Sequence, residues 1–234
     1  MAGDRNRIPI GNRHRIRSYV LRKGRLTPGQ RRALDELWPR FGIDWQDQPV
    51  DYGRRFGRQA PLAVEIGFGN GEVLVKTANQ YPEIDFIGIE VHPPGVGSLL
   101  QKLAAGEMTN VRLISADAVE VLQSMFDDQS ISHLQLFFPD PWPKKRHHKR
   151  RIIQPDFIHL LARKMKSGAV LHMATDWLEY AEWIVELFAG QADFLPLSSQ
   201  AGSVLGSICR PETHFERRGR MLGHEVRDLY YQRK

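Results

Sequence analysis

Leu62-Ala63-Val64-Glu65-Ile66-Gly67-Phe68-Gly69-Asn70-Gly71-Glu72 is the stretch on which the fold turns. Its first five residues, apolar but for Glu65, predict a strand. Glycines at 67, 69 and 71 let the backbone turn sharply and come close to a ligand before a helical pattern begins. A dinucleotide fingerprint needs glycine at position 72, and Glu72 stands there instead. Downstream the same unit recurs. Further strands are predicted over Phe86 to Val91, Val111 to Ala116, Leu134 to Phe138 and Ala169 to Ala174, with helix-sized segments between them. Such alternation predicts an α/β fold, a doubly wound and mostly parallel sheet. After Phe194 it breaks: Phe194-Leu195-Pro196-Leu197, a Gly/Ser loop and the run Val226 to Tyr231 predict an antiparallel C-terminal end to the sheet. Upstream, Thr27-Pro28-Gly29-Gln30 has the signature of a capped helix start, with Leu34, Leu37 and Trp38 as its buried stripe. Trp38-Pro39 should end that helix, and residues 39–60 read as a connector. The expected organisation is a mobile basic arm over residues 1–26 and a single domain over residues 27–234.

Charge is distributed unevenly around that frame. The net charge is +6, yet residues 1–32 hold ten Lys/Arg against one acid, and residues 144–151 hold six against none. A third basic segment occupies residues 217–234, while the body between is acidic. Concentrated positive segments on an acidic body suit a polyanion, because each neutralised phosphate releases counterions. No amphipathic helix with a bulky apolar face accompanies them, which favours nucleic acid over a membrane surface. Cys209 is the one cysteine, so no intrachain disulfide can form, and a reducing, cytoplasmic setting is expected. No His/Cys cluster has metal-ligand spacing, so no metal is expected.

The second decisive stretch is Phe137-Phe138-Pro139-Asp140-Pro141-Trp142-Pro143-Lys144-Lys145-Arg146-His147-His148-Lys149-Arg150-Arg151. Three prolines remove three backbone donors and stop the preceding strand. A stiff loop carrying a carboxylate and an indole results, followed by a block of positive charge. Glu90 and Asp117 fall at the ends of the second and third predicted strands, where an open α/β sheet binds ligands. Glu90 has two readings, a ribose ligand or a solvated strand end. Asp117 likewise reads as an adenine ligand or as a helix N-cap.

Together, Glu65-Ile66-Gly67-Phe68-Gly69-Asn70-Gly71, the Phe138 to His147 segment, Ala174-Thr175-Asp176 and Thr213-His214-Phe215-Glu216-Arg217-Arg218-Gly219 resemble the bacterial tRNA (guanine-N7)-methyltransferases. The resemblance extends from Arg17-Ser18-Tyr19-Val20 to Val226-Arg227-Asp228-Leu229-Tyr230-Tyr231. It implies a Rossmann-like, S-adenosylmethionine-dependent methyltransferase acting at N7 of a guanine, position 46 in the tRNA variable loop. By resemblance, Glu65, Gly67, Gly69, Glu90, Asp117 and Asp140 bind S-adenosylmethionine, and Asp140 is also catalytic. Lys144, Asp176, Thr213, His214, Phe215 and Glu216 hold the substrate, while Arg146, His147, His148, Lys149, Arg150 and Arg151 contact RNA. A monomer is expected. Thr213 and Glu216 also fit a capping box.

Guanine N7 has a lone pair and no proton, so its methylation needs no general base. What it needs is alignment, recognition of guanine and stabilisation of positive charge, which carboxylates such as Asp140 and Asp176 supply. Phe68 and Trp142 offer aromatic faces for stacking on a base, or serve packing. Two other classes remain open at this level: a non-catalytic RNA-binding protein on a methyltransferase-like scaffold, and a methyltransferase acting on an amino group of DNA or RNA.

Overall fold

A computed structural model describes residues 16–20, 24–198, 211, 216 and 225–234. Helix α1 (Pro28–Glu36) starts as expected: Thr27 Oγ1 accepts from the Gln30 amide, and the Gln30 side chain accepts from the Thr27 amide. Its fully buried residue is Ala33, with Leu34, Leu37 and Trp38 half-buried against the same core. The connector expected over residues 39–60 is partly helical. Pro39 sits in the first turn of α2 (Trp38–Phe41), where a missing N–H costs nothing. Asp51 caps α3 (Tyr52–Phe56), and Gly57 ends it in the left-handed conformation. Phe41, Ile43, Val50 and Tyr52 are buried, so this stretch supplies core.

Strands β1 (Leu62–Ile66), β2 (Asp85–Ile89), β3 (Val111–Ile114), β4 (Ile131–Phe137), β5 (Met165–Thr175), β6 (Phe194–Leu197) and β7 (Arg227–Arg233) form one sheet in the order β3-β2-β1-β4-β5-β7-β6. The first five are parallel, and β7 runs antiparallel to both β5 and β6. All five residues of β1 are buried, as a central strand with helices on both faces requires. Helices α4 (Glu72–Gln80) and α5 (Pro93–Ala105) pack on one face; α6 (Ala118–Ser124), α7 (Pro155–Lys164) and α8 (Leu178–Ala189) pack on the other. From β1 the chain winds outward to β2 and β3, then restarts at β4 on the other side. That reversal leaves a crevice outside the carboxyl ends of β1 and β4.

Candidate active site

The glycine turn after β1 is held in shape by a carboxylate. Gly67 N still donates to Ile89 O at 2.8 Å, and Gly69 and Gly71 have φ of +58° and +76°. A Cβ at Gly71 would lie 2.6 Å from the Leu99 side chain, so this turn admits no other residue without repacking α5. Glu90, just past β2, accepts from Gly69 N at 3.0 Å with one oxygen. Its other oxygen accepts from Val91 N at 2.6 Å and His92 N at 3.0 Å. The reading of Glu90 as a solvated strand end does not hold: it is buried, and it ties the glycine turn to the end of β2.

Beneath the turn lies Glu65, 3% exposed, with Oε2 lacking any hydrogen-bond partner among the described residues. Burial, with a smaller contribution from the Glu90 charge, pushes its carboxyl up to about 8. Glu65 and Glu90 line a cavity of about 480 Å³ with the glycine turn. Asp117 acts as the cap of α6, accepting from Val119 N at 2.9 Å; its neighbours Ala116 and Ala118 form the cavity wall.

The far rim is the proline loop. Phe138 and Trp142 have φ of +50° and +45°, a strained setting for bulky residues that costs on the order of 1–3 kcal/mol each. Hydrogen bonds that hold this loop include Phe138 N to Ala174 O at 2.8 Å, Arg151 Nε to Pro141 O at 2.9 Å, and Trp142 Nε1 to Ser18 O at 3.1 Å. Asp140 is exposed between these anchors and lines the cavity. Asp176 is half-buried in the turn after β5, where Trp177 N bonds Thr175 Oγ1 at 3.2 Å.

The basic run forms a 3₁₀ helix, Lys145–Arg150, with Lys144 exposed at its start. Arg146 and Lys149 are exposed, and the Arg150 guanidinium lies 5.0 Å over the Trp142 ring, which His147 meets edge-on. Arg151 corrects the expectation of an RNA contact: its side chain is 0% exposed, bonded to Pro141 and to Glu179 Oε1 at 3.0 Å. His148 also turns inward, 3.3 Å from Glu179. Phe68 is buried and packs in the core, and it also lines the cavity. Thr213, His214 and Phe215 lie outside the described residues, and Glu216 is buried. Sequence reasoning missed Ser18 and Tyr19 as cavity wall; their one signal was a polar-aromatic pair inside an Arg-rich arm. Among the described residues, no three His, Cys, Asp or Glu gather as a metal site, and no helix is long and apolar enough to cross a membrane.

A family model described as "Putative methyltransferase" matches residues 59–229. The tRNA (guanine-N(7)-)-methyltransferase of Serratia proteamaculans is 51% identical over 220 residues, 94% of this chain and 92% of that one. That of Alkalilimnicola ehrlichii is 51% identical over 225 residues, 94% and 93% of the two chains. Among solved structures, the aminoglycoside resistance methyltransferase NpmB1 superposes with a TM-score of 0.54 at 15% identity, covering 81% of this chain and 95% of that one. The 16S rRNA methyltransferase KamB gives a TM-score of 0.54 at 16% identity, with the same coverage. These two likenesses bear on the fold, a Rossmann-like methyltransferase sheet with an antiparallel C-terminal end.

Proposed function

We infer the reaction from one premise: the chain belongs to the tRNA (guanine-N(7)-)-methyltransferase family. It is an enzyme that methylates N7 of guanine in tRNA, with S-adenosylmethionine as methyl donor. The acceptor we assign is the guanine at position 46. The catalytic unit is a single domain from residue 27 onward, working as a monomer in the cytoplasm, and the preceding residues are an RNA-binding arm.

The observation that carries the site assignment is the partnerless Glu65 oxygen, buried in a cavity whose rim presents Asp140. A buried carboxyl group without a partner is costly, and a cationic ligand group supplies the missing partner. S-adenosylmethionine carries an ammonium group and, when bound, supplies an electrophilic methyl on a sulfonium. Glu90, already committed to three backbone amides, retains acceptor capacity for ribose hydroxyls, since a carboxylate offers about four lone-pair sites. Gly67 and Gly69 bring bare backbone to the ligand. Asp117, besides capping α6, lies beside the wall that would meet adenine.

At the other end, Asp140 and Asp176 accept from guanine N1–H and its amino group, a pair of donors that adenine does not present. Their charge also opposes the positive charge the purine acquires as its N7 lone pair forms the new bond. Lys144, Thr213, His214, Phe215 and Glu216 complete the substrate site, and Arg146, His147, Lys149 and Arg150 meet the phosphates. The test is direct. Purified chain, tRNA transcript and S-adenosylmethionine are incubated, and the RNA is then reduced and treated with aniline, which cuts only at N7-methylguanine. A single cut at position 46 is expected; cleavage elsewhere overturns the position, and an uncut but methylated RNA overturns the acceptor atom.

A further inference from the structure

Arg151 ends a run of positive charge, yet it is the bulkiest fully buried side chain among the described residues. Its Nε donates to the carbonyl of Pro141 at 2.9 Å and its Nη2 to Glu179 Oε1 at 3.0 Å. The guanidinium lies 4.9 Å from the Tyr180 ring centre and 5.2 Å from that of Trp183. Pro141 directly follows Asp140, and Glu179 stands in the first turn of α8, three residues after Asp176. One side chain therefore bonds to both acid-bearing segments at once.

We propose that Arg151 is a positioning residue for methyl transfer, bridging the Pro141 carbonyl and the Glu179 carboxylate and so fixing the separation of Asp140 and Asp176. The bridge rests on the reading of those two acids given above. Stability does not explain it. Arg151 Nη1 is buried without a hydrogen-bond partner among the described residues, and an apolar side chain would fill this space without desolvating a cation. The loop, by contrast, needs a restraint here. Phe138 and Trp142 hold it in left-handed backbone at two points, and strain of that kind persists only where surroundings enforce it. Pro139, Pro141 and Pro143 have no N–H, so a tether at those residues must reach a carbonyl. A guanidinium fits because its planar fork serves two acceptors in fixed directions while its faces stack on aromatic rings; an ammonium does neither.

Single-turnover rates at saturating tRNA and S-adenosylmethionine test the bridge, with Arg151→Lys and Glu179→Gln measured beside Asp140→Asn. Arg151→Lys should slow methyl transfer by about tenfold to a hundredfold, the order expected from a misplaced reacting geometry. Its tRNA dissociation constant and salt slope should stay within about twofold of wild type, since only groups that meet phosphate change that slope. Glu179→Gln keeps an acceptor and should lose less, and the double variant should lose less than the product of the two. A wild-type rate in folded Arg151→Lys overturns the bridge, and so does a reduced salt slope at unchanged rate, which would make Arg151 a phosphate ligand. If Arg151→Lys does not fold, Glu179→Ala, which removes the acceptor, decides alone, an unchanged rate again overturning the proposal. An active Asp140→Asn would instead overturn the reading of the loop, leaving those two failures distinct.

Discussion

Glu65 is the residue whose chemistry reaches furthest beyond its place in β1. Its folded pKa, pushed up to about 8 by burial and then by Glu90, exceeds its unfolded value of 4.5, so between those limits the folded state holds more protons. Stability of the ligand-free protein therefore falls as pH rises through that window, by at most about 1.4 kcal/mol per pH unit from this group, and levels off above the folded pKa. Denaturant melts from pH 5 to 8 should show the decline, and Glu65→Gln should flatten it. Binding of a cationic ligand lowers that pKa, so about one proton should leave on S-adenosylmethionine binding near pH 7. Calorimetry in buffers of different ionisation enthalpy reads this release, which Glu65→Gln should abolish. At the rim, and on the role proposed above for Asp140, Asp140→Asn places an NH₂ where an acceptor stood and removes charge opposite a cationic transition state. The expected cost is about 3 to 4 kcal/mol, or roughly a hundredfold to a thousandfold in kcat/KM, at unchanged melting temperature. An Asp140→Asn enzyme within tenfold of wild type would remove Asp140 from the catalytic role.

The glycine turn and Glu90 behave as one element, because the carboxylate holds amides on both sides of the crevice. Glu90→Ala leaves the Gly69, Val91 and His92 amides without their partner. We expect a loss of about 1–3 kcal/mol in urea melts together with weaker cofactor binding, while tRNA affinity measured without cofactor holds. Equal losses in both affinities would make the residue purely structural. The strands were legible in sequence because β1 and β2 bury every side chain, and β4 its last four, and so read as largely apolar runs between turns; their ends shifted by a few residues, as with Met165 to Gly168 ahead of the expected start of β5. Helix α3 escaped reading although Asp51 and Gly57 mark its two ends, since five residues carry too little periodicity against a Gly/Arg-rich background. Glu90, Asp117, Asp140 and Asp176 were legible as acids following strands, and Glu65, Glu90 and Asp140 do line one cavity. Arg151 and Ser18 were not, because their roles depend on partners 28 and 124 residues away in the chain, and no local pattern encodes such a contact.

Across the whole molecule, positive charge gathers on one side only in part. Ser18 bonded to Trp142, and Trp142 beneath Arg150, join the arm to the basic 3₁₀ helix at the lip of the cavity. The third basic segment divides, because β7 runs antiparallel to β5 with Arg227 opposite Thr175 and Gln232 opposite Val170. Arg233 thus lies roughly 20 Å from Arg227, six residues at about 3.3 Å each, toward the opposite end of the strands. There it donates to Ala162 O at 2.7 Å and pairs with Asp193 at 3.3 Å. For about six phosphates neutralised, log K should fall against log salt with a slope of roughly −4 to −5. Replacing Arg146 and Arg150 together by Ala should bring the slope about 1.5 closer to zero, since each phosphate contact contributes about 0.7 to 0.9. Arg233→Ala should leave it unchanged, and a shift there would mean that RNA reaches around the sheet edge. The course of β7 also settles how this enzyme is best attached to a surface or a dye: a linker joined at Lys234 departs from the end of the strands opposite the cavity, leaving the cavity mouth open to solution, whereas one joined next to Ile16 would crowd Trp142.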